Sequence, residues 1–238
     1  MRINGMIPAR MGSNRLKQKN LALIDGKPLI SYAINAAKES GVFSELYVNS
    51  ENDIFKEIAK RYDINFYQRA EYLGGSTIKS DDVVYDFMMN NSSDITVWVN
   101  PTSPLQTSEE IKGALDYFIS GGYDCLFTVK NEQVHCVLNE RPINFNEHGV
   151  FAQTQDLAPV GRFVYSLMMW RNDSFIEQYQ TNKCAFFCGK IGYYPISSET
   201  AVIVKRQEDL FLAESILIAR KYANERELKY DELVDVSL

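Results

Sequence analysis

The stretch "RINGMIPARMGSNRLKQKN", Arg2 to Asn20, decides how the rest of the chain is read. Its opening, "RINGMI", is a short apolar run suited to a β-strand. The continuation "IPARMGSNRLKQKN" holds Arg10, Arg15, Lys17 and Lys19, one glycine (Gly12), and almost nothing that could pack a core. Soon after comes "PLISYAINAAKES", Pro28 to Ser40, with apolar residues at helical spacing, proline at its start and Gly41 just past its end. A strand, a cationic loop and a helix in that order open a βαβ unit.

Working outward, the alternation persists. "ELYVNS" (Glu45 to Ser50), "INFYQR", "DITVWVN" (Asp94 to Asn100) and "YDCLFTV" read as strands. "ENDIFKEIAKRY" (Glu51 to Tyr62), "SDDVVYDFMMNN" (Ser80 to Asn91, with Ser80 as cap before an acidic first turn) and "TSEEIKGALDYFIS" (Thr107 to Ser120) read as helices. The pattern predicts an α/β fold with a mostly parallel sheet, whose ligands bind beyond the carboxyl ends of strands at a topological switch point. The cationic loop follows the first strand, where that rule puts a ligand.

From about Val129 the texture changes to polar turns, scattered aromatics and β-like fragments with no helical pattern. The expectation is one domain over 1–238 carrying an inserted β-rich arm at about 130–170. Within it "RFVYSLMMW", Arg162 to Trp170, would leave an apolar face exposed on a monomer, which predicts a homodimer through that face. "KIGYYPIS" and "TAVIVK" read as further strands, and "QEDLFLAESILIARKYANER", Gln207 to Arg226, as a closing amphipathic helix.

The bulk composition narrows function by exclusion. The 238 residues are 45% hydrophobic and 24% charged, the balance of an ordinary globular protein. A net charge of -6 lacks the basic face that general nucleic-acid binding needs. No apolar run approaches a membrane span, and "MRINGMIPAR" is too short and too polar for a secretory signal, so the expected location is cytoplasmic. Cys125, Cys136, Cys184 and Cys188 form no C-x-x-C pair, and only two histidines are present, which argues against a zinc site. Cys125, Cys184 and Cys188 lie in apolar strand-like runs and are expected to be buried, reduced thiols.

Against this acidic background the cationic loop is the anomaly. Ala9 and Gly12 let backbone N–H groups approach an anion; arginine adds a fork of donors and lysine a mobile point charge. Together they suit a polyphosphate. The loop is neither a P-loop nor a dinucleotide-binding turn, because G-x-x-x-x-G-K-[ST] and G-x-G-x-x-G are both absent.

"IPARMGSNRLKQKNL" followed by "GKPLISYAINAA" resembles the opening of the N-acylneuraminate cytidylyltransferase family, which includes the CMP-sialic acid synthetases and is related to the CMP-Kdo synthetases. "RAEYLGGSTIKSDD", "VNPTSPLQTSEEI", "QDLAP" and "EDLFLAE" resemble later family segments, in the same order and over nearly the whole chain. The resemblance implies a three-layer Rossmann-like nucleotidyltransferase sheet and transfer of CMP from CTP to an acidic 2-keto-3-deoxy sugar, releasing pyrophosphate. It implies that Arg10 and Lys19 bind phosphate. Ala9, Gly12, Ser13, Asn14, Asn20, Ser80 and Asn100 fall on nucleotide-binding positions, and Thr102, Ser103, Gln106, Gln155 and Tyr165 on positions facing the sugar. Structural readings stay open beside these: Asn20 as a turn residue, Ser80 as a helix cap, "NPTSPL" as a rigid turn.

The chain departs from the pattern at identifiable places. Asn14 replaces a lysine, Asn100 a glutamine, and Gln106 and Thr154 arginines. The family's late D-x-D, which binds the divalent metal, falls on Ile203 and Lys205. No metal ligand is therefore expected from this chain. Magnesium would be held by the triphosphate and water, or the Lys205 ammonium would replace part of its charge. Two other readings remain: a catalytically degenerate member that binds nucleotide or sugar as a partner subunit, and a nucleotidyltransferase with another base or acceptor.

Overall fold

A computed structural model of the chain describes residues 1–13, 15–222 and 230–231. The apolar run after Arg2 forms strand β1 (Ile3–Pro8), buried along nearly its whole length. Further strands are β2 (Glu45–Ser50), β3 (Asn65–Gln68), β4 (Ile95–Val99), β5 (Cys125–Glu132), β6 (Val160–Arg171) and β7 (Ile191–Pro195). They form one seven-stranded sheet in the order β7-β5-β6-β4-β1-β2-β3. Every neighbouring pair is parallel except those of β6, which runs antiparallel to both β4 and β5.

The helices are α1 (Leu29–Ser40), α2 (Ile54–Arg61), α3 (Ser80–Asn90), α4 (Ser108–Ser120), α5 (Asn172–Asn182) and α6 (Gln207–Lys221). Side chains alternate across a strand, so the sheet feeds two cores. Ile7, Val48, Val97 and Met169 meet α1, α2 and α4 on one face, while Met6, Phe127, Met168 and Trp170 meet α3 and α5 on the other. A third cluster, around Ile24, Leu105, Val204 and Leu210, seats α6 beside the sheet. The expected three-layer, mostly parallel Rossmann-like fold is present.

Several local expectations are corrected. The segment 160–171 is not part of an exposed arm. It is a sheet strand, and Val164, Leu167, Met168, Met169 and Trp170 are buried in the cores. The apolar face that suggested a dimer through "RFVYSLMMW" is thus covered by the chain itself. Only 133–159 leaves the sheet, with two-residue strand pairs at Val137–Leu138 and Arg141–Pro142. "TAVIVK" and "KCAFFCG" form turns and irregular chain rather than strands, and Cys184 is exposed while Cys125 and Cys188 are buried. Helix α3 begins at Ser80, but its cap position is Lys79 and no side chain caps it. The part of the closing helix beyond residue 222 that the sequence predicts lies outside the described residues, residues 230 and 231 aside.

Helix α2 starts at Ile54, three residues later than its pattern suggests, because Asn52 Oδ1 accepts the Ile54 N–H at 3.0 Å and Glu51 is drawn elsewhere. Glu51 Oε2 lies 2.7 Å from Arg69 Nη2, a pair whose side chains are 13% and 3% exposed. Arg69 Nη2 also donates to the Ala9 carbonyl at 3.1 Å, and Glu51 Oε1 accepts the Met11 N–H at 3.1 Å. The ion pair therefore fastens the loop after β1 to the ends of β2 and β3. Gly74 is required beside it, since a Cβ there would stand 2.5 Å from Glu51 Cδ. Removing one partner of a buried pair leaves an uncompensated charge. Glu51→Ala is expected to lower stability by about 3–5 kcal/mol in denaturant unfolding; a loss below about 1 kcal/mol, the usual worth of a surface pair, would contradict this role.

Candidate functional site

The chain runs from β1 outward through β2 and β3, then returns to place β4 on the other side of β1. That reversal opens a crevice at the carboxyl ends of β1 and β4. A cleft of about 530 Å³ occupies it, within the roughly 300–1,000 Å³ typical of small-ligand sites. Arg10, Arg15, Lys19 and Arg69 line it, together with Ser13, Asn20, Ser80, Asn100 and Thr102. No acidic side chain lines it among the described residues.

Local forces set each wall. Beyond β1 the Ala9 N–H continues the ladder to the Asn49 carbonyl at 2.9 Å, and Ala9 itself is buried. The loop then leaves the sheet, and Arg10 projects with no hydrogen bond or ion pair to another described residue. At its far end the loop closes in a 3-10 turn over Lys19–Leu21 that buries Asn20. Leu16 packs into the cluster around Ile24 and Val204, which anchors the middle of the loop. Three buried polar atoms of wall residues have no protein partner: Asn20 Oδ1, Arg69 Nε and Trp98 Nε1. Native interiors leave few such atoms unpaired, so these mark places for a ligand or water to complete.

Lys19 carries the strongest electrostatic signature. Its Nζ donates to the Val204 carbonyl at 2.9 Å. Burial first, and then the nearby charges of Arg15 and Arg10, lower its pKa to about 8, while Asp209 opposes the shift. Lys205 contributes in the same lowering sense, so its charge also acts at this wall. Crowded cations of this kind are stabilised by an incoming polyanion.

The structure brings together Ala9, Arg10, Ser13, Lys19, Asn20, Ser80, Asn100 and Thr102 from the sequence expectation. Asn14 lies outside the described residues. The remaining expected residues do not line the cleft. Gly12 is exposed, with no protein atom within 4 Å of where a Cβ would stand and no left-handed backbone. Ser103 and Gln106 are buried, and Gln106 Nε2 donates to Glu110 at 2.9 Å. Gln155 is exposed in the 133–159 excursion, where its amide donates to Gln153. Tyr165 meets the site through its backbone, its carbonyl accepting Asn100 Nδ2 at 2.6 Å while its side chain is exposed. Asn100 Oδ1 also accepts both the N–H and the hydroxyl of Thr102, so that amide braces β4 against β6. Lys205 is exposed at the entry to α6, its N–H capped by Asp209 at 2.8 Å. Lys130 on β5 and Arg162 on β6 both pair with Glu132 at 3.1 Å, away from the cleft lining.

Arg69 and Trp98 were missed. Arg69 opens the segment "RAEYLGGSTIKSDD", but nothing in its spacing shows that it would turn inward beneath the loop. Trp98 sits inside an apolar strand, where the pattern offers no reason to separate it from the core.

A profile of the cytidylyltransferase family matches residues 5–233. Over 213 residues the chain is 26% identical to N-acylneuraminate cytidylyltransferase of Streptococcus agalactiae serotype III (strain NEM316), covering 86% of this chain and 50% of that protein. It thus spans about half the length of that relative. Over 188 residues it is 28% identical to pseudaminic acid cytidylyltransferase of Campylobacter jejuni, covering 72% of this chain and 81% of that one. Among solved structures, a CMP:2-keto-3-deoxy-manno-octonic acid synthetase complexed with CTP superposes with a TM-score of 0.73 at 14% identity, covering 92% of this chain and all of that one. That last likeness speaks for the fold alone. With the profile extending over nearly its full length, this chain belongs to the cytidylyltransferase family.

Proposed function

We propose that the chain transfers CMP from CTP to an acidic 2-keto-3-deoxy sugar and releases pyrophosphate. The observation that carries this reading is the acid-free cleft with its four cations at the switch point of a cytidylyltransferase fold. In the reaction, the sugar's anomeric hydroxyl attacks the α-phosphorus and loses its proton. The bond from that phosphorus to the bridging oxygen breaks, and pyrophosphate departs with the electron pair. Charge grows on the phosphoryl oxygens and the leaving group, so positioning and electrostatics do most of the work.

Arg10, unpartnered and exposed, and Lys19, half-buried, grip the phosphates, with Arg15 and Arg69 adding to the positive field. Asn20 Oδ1 is a receptor for a ribose hydroxyl, and Ser80 lies toward the base. Thr102, at the end of β4, faces the sugar. A protein-held divalent cation does not fit this cleft. No group of three or more His, Cys, Asp or Glu side chains is arranged for a metal among the described residues. The nearby carboxylates are committed, Glu51 to Arg69 and Asp209 to the amides that open α6.

A homodimer belongs to the same proposal, now through the 133–159 excursion, where Val137, Leu138, Val150 and Phe151 are exposed. Large apolar side chains gathered on one segment favour a covered surface. A cytoplasmic site of action belongs to the same proposal; among the described residues no helix is long and apolar enough to cross a membrane.

A coupled pyrophosphate-release assay with CTP and a panel of acidic 2-keto-3-deoxy sugars is expected to show turnover with at least one of them. CTP that binds without turnover on any of them would favour a binding-only subunit. Arg10→Ala is expected to reduce kcat/KM by about 10- to 100-fold, the worth of one charge-assisted contact; a change under about twofold would contradict the assignment. The pH dependence follows from Lys19. Its folded pKa lies below that of the unfolded chain, so raising pH from about 8 toward 10.5 removes a penalty and stabilises the free protein. The same deprotonation removes a phosphate contact. CTP affinity, measured by calorimetry, is therefore expected to be weaker at pH 9 than at pH 7.5, and Lys19→Arg should abolish most of that difference. Equal affinities at the two pH values in the unsubstituted protein would exclude Lys19 as a phosphate ligand.

A further inference from the structure

Lys19 is held by a residue 185 positions further along the chain. The carbonyl it grips belongs to Val204, which is fully buried and whose own N–H donates to the Thr102 carbonyl at 2.9 Å. The backbone of this one residue thus joins the cationic loop to the loop after β4. A lysine ammonium has three donors, so this contact leaves two for phosphate oxygens and removes much of the freedom of a long side chain.

The segment that carries Val204 is irregular and could not hold that carbonyl alone. It is pinned at both ends by carboxylates. Toward α6, Asp209 Oδ2 accepts the Lys205 and Arg206 amides at 2.8 Å. On the other side, Glu110 in the first turn of α4 receives the Ser197 amide on Oε1 at 2.8 Å and the Thr200 hydroxyl on Oε2 at 2.6 Å. Thr200 is fully buried, its hydroxyl also 3.0 Å from the Leu105 carbonyl, and its N–H donates to Ser197 Oγ at 3.1 Å. Charge-assisted bonds are stronger than neutral ones and can fix an otherwise loose segment, and the Thr200 bond to Glu110 is the one partly withdrawn from water. None of these groups touches the cleft.

We propose that Thr200 and Glu110 are positioning residues that fix the Val204 carbonyl and, through it, the Lys19 ammonium at the wall of the cleft. The inference rests on the reading of that cleft as a polyphosphate site, but not on the base or the sugar. It extends the phosphate machinery to a clasp at the first turn of α4, and it assigns the irregular 197–206 segment a task that its backbone performs.

The test is calorimetric titration of the full chain with inorganic tripolyphosphate and, separately, with CTP at pH 7.5 and 9, alongside thermal unfolding. Thr200→Val is expected to weaken tripolyphosphate binding about tenfold at pH 7.5. It should also flatten the loss of affinity between the two pH values, because a released Lys19 is better solvated. Thr200→Ser should restore both. If Thr200→Val does not fold, Glu110→Gln decides, with the same two changes expected. Variants that lose thermal stability yet keep the parental affinity and pH dependence would overturn the proposal. Parental protein that binds tripolyphosphate but not CTP would defeat the cytidylyl reading and leave the clasp standing; binding of neither would defeat both.

Discussion

Cations cannot crowd one cleft unless something holds them against their mutual repulsion, and here that restraint is the buried pair of Arg69 and Glu51. Each charge would be costly alone in the interior, and together they are tolerable because each also meets backbone. Arg69 reaches the Ala9 carbonyl and Glu51 the Met11 amide, on either side of Arg10. The pair thus sets the path of the loop at the point where its first free guanidinium emerges. Its own positive member faces the same cleft, so one interaction both supports the loop and adds to the field.

The opposite wall is built differently. Lys19 is restrained by a peptide carbonyl, and that carbonyl is restrained by carboxylates on two helices. The cost of this arrangement is visible in the depressed basicity of Lys19, which burial and its cationic neighbours impose before any ligand arrives. A site prepared in this way is unfavourable when empty and favourable when filled by a polyanion, which is how fixed charges become useful for binding and for stabilising charge that develops during phosphoryl transfer. The segment that carries Ile203 and Lys205 contributes a carbonyl and a positive charge to this wall.

Much of this was legible in the sequence. Strands and helices alternate with clean periods through β5, so the parallel sheet, its switch point and the location of the cationic loop all follow from local pattern. What failed had non-local causes. β6 is apolar on both faces because it lies inside the sheet, yet without the strand-helix rhythm its run of Met168, Met169 and Trp170 looked like a face seeking a partner. Nothing local marks Arg69 and Glu51 as a pair, since only the folded chain shows that they meet 18 positions apart beneath a loop. Ser80 was open to two readings, helix cap and nucleotide-binding position; it lines the cleft and caps nothing.

Crystals of the protein soaked with CTP would test the central claim most directly, by showing where the triphosphate lies. The account predicts its phosphates between Arg10 and Lys19, within hydrogen-bonding distance of both, at the carboxyl ends of β1 and β4. Triphosphate density elsewhere, for instance in the cavity at the other end of the sheet beside Lys38 and Asn65, with this cleft left empty, would contradict it.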